Sequence, residues 1–188
     1  MINQLIIKGF KSFVDKSINF NQLNVLTGLN SSGKSTVIQA LQILNKYSRH
    51  FENPLIEGHG DYKELQNPFS SLPFSINAKY GEHGIICYSP QKENNIHTEE
   101  FPDLIIISAD RYGPLVSIPL LSDCELGSKG ENVIKCIQVH ENDILGKLIT
   151  HPNSEGDTFL YNLRAWLGTI TPGVQFNYDI IDKADTSF

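Results

Sequence analysis

Gly28-Leu29-Asn30-Ser31-Ser32-Gly33-Lys34-Ser35 meets the pattern Gly-x-x-x-x-Gly-Lys-Ser/Thr at every fixed position. The pattern carries meaning only between a strand and a helix, and both flanks supply that context. Upstream, the short apolar run Leu23 to Thr27, with Leu23, Val25 and Leu26, reads as a buried strand. Downstream, Lys34 to Tyr47 sets Val37, Ile38, Leu41 and Leu44 at helical spacing with no Gly or Pro to stop it. Strand, glycine-containing loop and helix in this order predict a phosphate-binding loop in an α/β core.

A triphosphate carries several negative charges, and a loop that opens a helix offers unpaired backbone N–H groups together with the positive end of the helix dipole. Gly28 and Gly33 allow the close backbone approach that a Cβ would obstruct, and Asn30, Ser31, Ser32 and Gly33 should line the loop with donors. Lys34 is placed to neutralise the β- and γ-phosphates, Ser35 is the expected hydroxyl ligand of Mg²⁺, and Thr36 can hydrogen-bond near the α-phosphate. Lys34 and Ser35 are thus the candidate catalytic residues, and ATP and Mg the expected cofactors. A guanine reader of the Asn-Lys-x-Asp type is missing, because Asn45-Lys46 continues as Tyr47-Ser48. Asp143-Ile144-Leu145-Gly146 spells Asp-x-x-Gly and reads as a chance match.

Working outward, Ile2 to Lys8 is a β-rich apolar run, Gly9 to Lys16 a polar turn, and Ser17 to Phe20 alternates, so the chain should open with an antiparallel pair. Phe51 to Leu72, with Pro54, Gly58, Gly60 and Pro68, reads as an excursion of loops and short turns. Strand signals return in the alternation of Phe74, Ile76, Ala78 and Tyr80, a turn at Gly81 to Gly84, and a second hairpin arm at Ile85 to Tyr88. Gln91 to Glu100 is a polar loop, while Leu104 to Ile107 and Val133 to Val139 are candidate strands. Phe159 to Leu167 reads as a helix, and Val174 to Ile180 alternates as if to lie in a sheet. The fold class is therefore α/β, a P-loop core over about residues 1–50 with a β-rich insertion and further strands over about 51–188.

The 188 residues, with 40% apolar and 19% charged content, are those of one ordinary globular domain. A net charge of −6 argues against a surface that is one electrostatic footprint for nucleic acid, leaving only a local basic patch at Lys8, Lys11 and Lys16 to consider. Cys87, Cys124 and Cys136 form no Cys-x-x-Cys pair, and the six histidines are scattered, so neither a disulfide framework nor a zinc site is expected. The N-terminal apolar run is broken by Lys8 and Lys11, and nowhere is there the stretch of roughly 20 apolar residues that crosses a bilayer. The expectation is a cytoplasmic location with no membrane partner.

Ile7-Lys8-Gly9-Phe10-Lys11-Ser12-Phe13, followed by an antiparallel strand and then Leu26 to Thr36, resembles the start of ABC-type ATPases of the chromosome-maintenance, Rad50-like and RecF-like group. The resemblance implies that the turn near Phe10 to Phe13 lies beside the nucleotide, with Lys11 and Ser12 as further contacts. A nearer resemblance, to bacterial predicted ATPases of the overcoming-lysogenisation-defect and Septu-type phage-defence group, is carried by three more stretches. These are Glu57 to Leu65, Ile107-Ser108-Ala109-Asp110-Arg111-Tyr112-Gly113-Pro114, and Trp166-Leu167-Gly168-Thr169-Ile170-Thr171-Pro172-Gly173. It implies a homodimer through the ATPase heads, with DNA or RNA or a nuclease subunit as partner.

Such ATPases also need an apolar strand ending in Asp-Glu, a signature loop of Leu-Ser-Gly-Gly type and a late switch histidine. None is found here, and Pro102 to Asp110, with Ile105 to Ile107 before Ser108-Ala109-Asp110, is only the nearest approach to the first. The chain thus reads as the N-terminal portion of one ABC-type ATPase domain, interrupted before its second half. Gln66 is a guess for a γ-phosphate sensor. The rival readings are a nucleotide-dependent binding module without hydrolysis and a small-molecule kinase. A nuclease, resting on Asp179, Asp182 and Asp185, is the remaining one, though acids near a chain end usually mark solvated surface.

Overall fold

The structure is a computed structural model and describes residues 1–49, 53–91, 95–109, 124 and 126–179. It divides into two compact units, Met1–Leu104 and Ile105–Phe188.

The first unit is built on a five-stranded, wholly antiparallel sheet in the order β2-β1-β3-β4-β5. The strands are β1 (Ile2–Phe10), β2 (Phe13–Asn19), β3 (Ser75–Tyr80), β4 (Gly84–Tyr88) and β5 (Ile96–His97). Alternation fixes the register: Leu5 pairs with Ala78 and Ile7 with Ile76, and across the next ladder Ala78 pairs with Ile86 and Ile76 with Tyr88. All six side chains therefore share one face, and all are buried. Both expected antiparallel pairs are present. The β-rich stretch after the first helix extends the opening pair, since β3 lies directly beside β1.

Helix α1 (Lys34–Ser48) packs on β3 and β4. Its buried stripe is Val37, Ala40, Ile43 and Leu44, while Ile38, expected on the apolar face, is 47% exposed. The helix thus turns a face about one residue away from the one that periodicity suggested. Phe10, Leu65 and Phe74 complete the core, with the Phe10 and Phe74 rings 5.0 Å apart.

The excursion after α1 contains a short helix, α2 (Tyr62–Leu65), opened by a capping box. The Asp61 carboxylate accepts from Lys63 N–H at 2.8 Å and Glu64 N–H at 2.9 Å, and Glu64 Oε2 accepts from Asp61 N–H at 3.0 Å. The N–H groups of Glu64 and Lys63 favour the ionised carboxyl and hold its pKa below the ordinary value. A depressed pKa contributes stability that is present above the unfolded value and lost as pH falls through the folded one. Thermal unfolding followed from pH 5 down to pH 2 should therefore show a loss in the wild-type chain below about pH 4. Asp61→Asn keeps a capping oxygen without the titration, so its loss over the same range is expected to be smaller.

Four strand expectations give way, three to backbone outside any ladder and one to a helix. Leu23 to Thr27 belongs to no ladder, and Leu23 and Val25 are 82% and 74% exposed. Extended backbone becomes a strand only where a partner takes up its N–H and C=O groups, and no described strand runs beside this segment. Leu104 to Ile107 is likewise unpaired, with Ile105 73% and Ile107 67% exposed. Val174 to Asp179 is irregular too, and Ile180 lies outside the described residues.

In the second unit, the candidate strand Val133 to Val139 is helix α3 (Val133–His140). Its β-branched residues gave the strand signal, but context outweighs propensity. Ile137 is buried, and Lys135 Nζ reaches Gln138 Oε1 at 3.2 Å, the i,i+3 spacing of a helix. Helix α4 (Phe159–Ile170) is where the apolar spacing put it. Its fully buried side chain is Asn162, which donates to Gly156 and Thr158 carbonyls at 3.1 and 2.9 Å and accepts from His151 N–H at 2.7 Å. The Asp143-to-Gly146 stretch is structural: Asp143 O accepts from Phe159 N–H at 2.8 Å, and its carboxylate lies 2.7 Å from His140 Nδ1. Among the described residues no helix is long and apolar enough to cross a membrane.

Candidate functional site

The loop predicted to bind phosphate opens α1, and its backbone is shaped as such a loop requires. Ser31 has φ 63° and Gly33 has φ 96°, both left-handed. The glycine is demanded twice, because a Cβ at Gly33 would lie 2.5 Å from Phe13 Cζ and 3.0 Å from Ser12 Oγ. Ser12 lies in the turn joining β1 to β2 and Phe13 opens β2, so the opening hairpin sits directly on the loop.

The first intrahelical bond is Val37 N–H to Gly33 O at 3.1 Å, which leaves the amides of Lys34, Ser35 and Thr36 ahead of the ladder. Gly33 brings no side-chain cap, and the first turn holds no acidic residue to compete for those donors. Lys34 folds back over its own loop, donating from Nζ to Gly28 O at 2.9 Å and Leu29 O at 2.7 Å. The ammonium group is thereby held at the loop by two neutral carbonyls, partners that an anion can outbid.

Between loop and turn lies a cavity of about 230 Å³. One wall is Ser31, Gly33, Lys34, Ser35 and Thr36; the other is Lys11 and Ser12. Of the sequence-predicted loop residues, the structure thus gathers five around the cavity. Gly28, Asn30 and Ser32 are in the loop but outside that lining, with Ser32 N–H turned onto Leu29 O at 3.2 Å. Thr36 is 8% exposed and so buried, whereas Ser35 is exposed. Two ammonium groups, the hydroxyls of three serines and Thr36, and a helix start line one space that no carboxylate among the described residues lines. That donor set suits a phosphate chain, and the Ser35 hydroxyl is the residue present that could serve a Mg²⁺ ion beside it.

The proposed basic patch does not persist as a patch. Lys8 on β1 pairs with Asp15 on the edge strand β2 at 3.6 Å, while Lys11 lines the cavity. Gln66 is not available as a phosphate sensor. Its Nε2 donates to Leu72 O at 2.8 Å and its Oε1 accepts from Phe74 N–H at 2.9 Å, so its amide is spent inside the excursion loop. Among the described residues no cluster of three or more His, Cys, Asp or Glu could hold a metal ion. Asp110 and Arg111, and Asp182 and Asp185, lie outside the described residues.

The sequence matches the family model described as AAA ATPase domain over residues 1–163. No curated protein matches it. With the loop, its helix and the hairpin against it all inside the matched span, the chain belongs to the AAA ATPase domain family, a P-loop family of nucleotide-binding ATPases.

Proposed function

We propose that the chain binds Mg-ATP in the cavity between the phosphate loop and the β1–β2 turn, and that it hydrolyses ATP when two such heads close on one another. The observation that carries the reading is the convergence of Lys34 and Lys11, from two different elements, on the open first turn of α1. Backbone N–H groups of that turn would take phosphate oxygens, the two lysines would neutralise them, and Ser35 would hold Mg²⁺. Bound Mg-ATP supplies the phosphoryl group whose transfer to water releases energy for a change of shape.

The requirement for a second body is supported by exposure. Leu23, Val25 and Leu29 beside the loop and Ile38 on α1 are 82%, 74%, 85% and 47% exposed, an apolar set that further ATPase-domain structure would cover. Resemblance adds the rest of the reading: the shape change acts on DNA, RNA or a nuclease subunit, in a phage-defence setting.

Calorimetry with ATP, with and without Mg²⁺, tests the site. The wild-type chain should bind ATP more tightly with Mg²⁺, and Ser35→Ala should lose about 10-fold of that affinity, about 1.4 kcal/mol. An equal response to Mg²⁺ in both proteins would remove Ser35 as the metal ligand. A second reading, binding without turnover, is favoured by one feature: among the described residues no carboxylate lines the cavity to act as a general base on an attacking water. Affinity with no release of phosphate would select it.

A further inference from the structure

The cavity wall formed by Lys11 and Ser12 stands on an unfavourable backbone. Gly9 has φ 60° and Lys11 has φ 48°, so two left-handed residues flank Phe10, whose ring is fully buried. For a lysine this conformation is strained, because Cβ crowds the following carbonyl, and it persists only where the surroundings fix it.

What fixes it comes from the excursion loop. Lys11 N–H donates to Leu65 O at 2.8 Å, Asn67 N–H donates to Gly9 O at 2.8 Å, and Asn67 Nδ2 donates to Lys11 O at 2.6 Å. Asn67 is itself held, 3% exposed, with Oδ1 accepting from Phe69 N–H at 2.8 Å. One side chain and its own amide thus grip the strained turn at both left-handed residues.

We infer that Asn67 is a positioning residue of the nucleotide site: it is no part of the cavity lining, but its grip on Gly9 and Lys11 sets where the Lys11 ammonium and Ser12 hydroxyl meet the phosphates. The inference rests on the proposed function and adds to it a residue that no phosphate-loop pattern contains. An asparagine is suited to the place because Nδ2 and Oδ1 must donate and accept at once. The substitution Asn67→Asp would keep an acceptor for Phe69 N–H but set a carboxylate against the Lys11 carbonyl.

The test uses Asn67→Ala, Asn67→Asp, Lys11→Ala and the double variant Lys11→Ala/Asn67→Ala in the full chain. In the absence of nucleotide, amide hydrogen exchange at Lys11 and Ser12 should speed up in both Asn67 variants. Mg-ATP affinity by calorimetry should fall about 10-fold in Lys11→Ala and several-fold in each Asn67 variant. The double variant should be no weaker than Lys11→Ala by more than about twofold, because with the Lys11 ammonium gone only the neutral Ser12 hydroxyl is left to position. A purely structural role would lower the melting temperature and give losses that add. Additive losses, unchanged exchange, or unchanged affinity in folded Asn67 variants of a chain that binds ATP would overturn the inference. Failure of the wild-type chain to bind ATP would instead remove the proposed site, and this role with it.

Discussion

Lys34→Ala is expected to weaken Mg-ATP binding at least about 100-fold, about 2.7 kcal/mol, while the chain remains folded. The size follows from the charge. A hydrogen bond to a charged group contributes about 1.5–3 kcal/mol, and Lys34 is the one cation on the loop itself. A second effect runs in the same direction. Lys34 Nζ ties Gly28 O and Leu29 O together, so its removal also loosens the loop that presents the backbone donors. Folding should survive, because the lysine contributes nothing to the buried stripe of α1. Calorimetry together with a thermal melt checks both halves of the statement. An unchanged affinity would mean that the cavity is not where the phosphates go. A collapsed melting temperature would mean that Lys34 is chiefly a brace for its loop.

The parts of this site that the sequence discloses are those whose physics is local. The loop and α1 are legible because each requirement, glycine at a left-handed position, a cation at the helix start, an apolar stripe behind it, falls within one short segment. The hairpins β1–β2 and β3–β4 are legible for the same reason, since alternation and a turn are both local signals. Leu23 to Thr27 misleads because a strand is completed by its neighbour, and local pattern says nothing about whether one is there. Val133 to Val139 misleads because β-branched residues accept a helix when one of its faces is packed, as Ile137 is. The grip of Asn67 on Lys11 joins residues 56 apart, in a loop of mixed polar composition, so only the folded chain shows it. Gln66 looked available for the same reason: its amide is spent within its own loop in a way that spacing does not reveal.

Gly33→Ala is expected to cost the fold about 2–5 kcal/mol, and the reason joins site and core in one position. An L-residue at φ 96° pays about 1–2 kcal/mol in backbone strain. The added Cβ also arrives 2.5 Å from Phe13 Cζ, and relieving such an overlap costs about a further 1–3 kcal/mol. For a chain of this size that is a fall in melting temperature on the order of 10 °C. The two contributions are separable. Phe13→Ala empties the space that the Cβ would enter, so in a Phe13→Ala background Gly33→Ala should cost only the strain. The difference between the two costs measures how tightly the β1–β2 turn sits on the phosphate loop. A full cost that persists without Phe13 would locate the penalty in the backbone alone. Nucleotide affinity of the single variant should fall as well, since a turn pushed off Gly33 carries Lys11 and Ser12 away with it. If affinity were retained while stability fell by the expected amount, the turn would be a support for the loop and not a wall of the site.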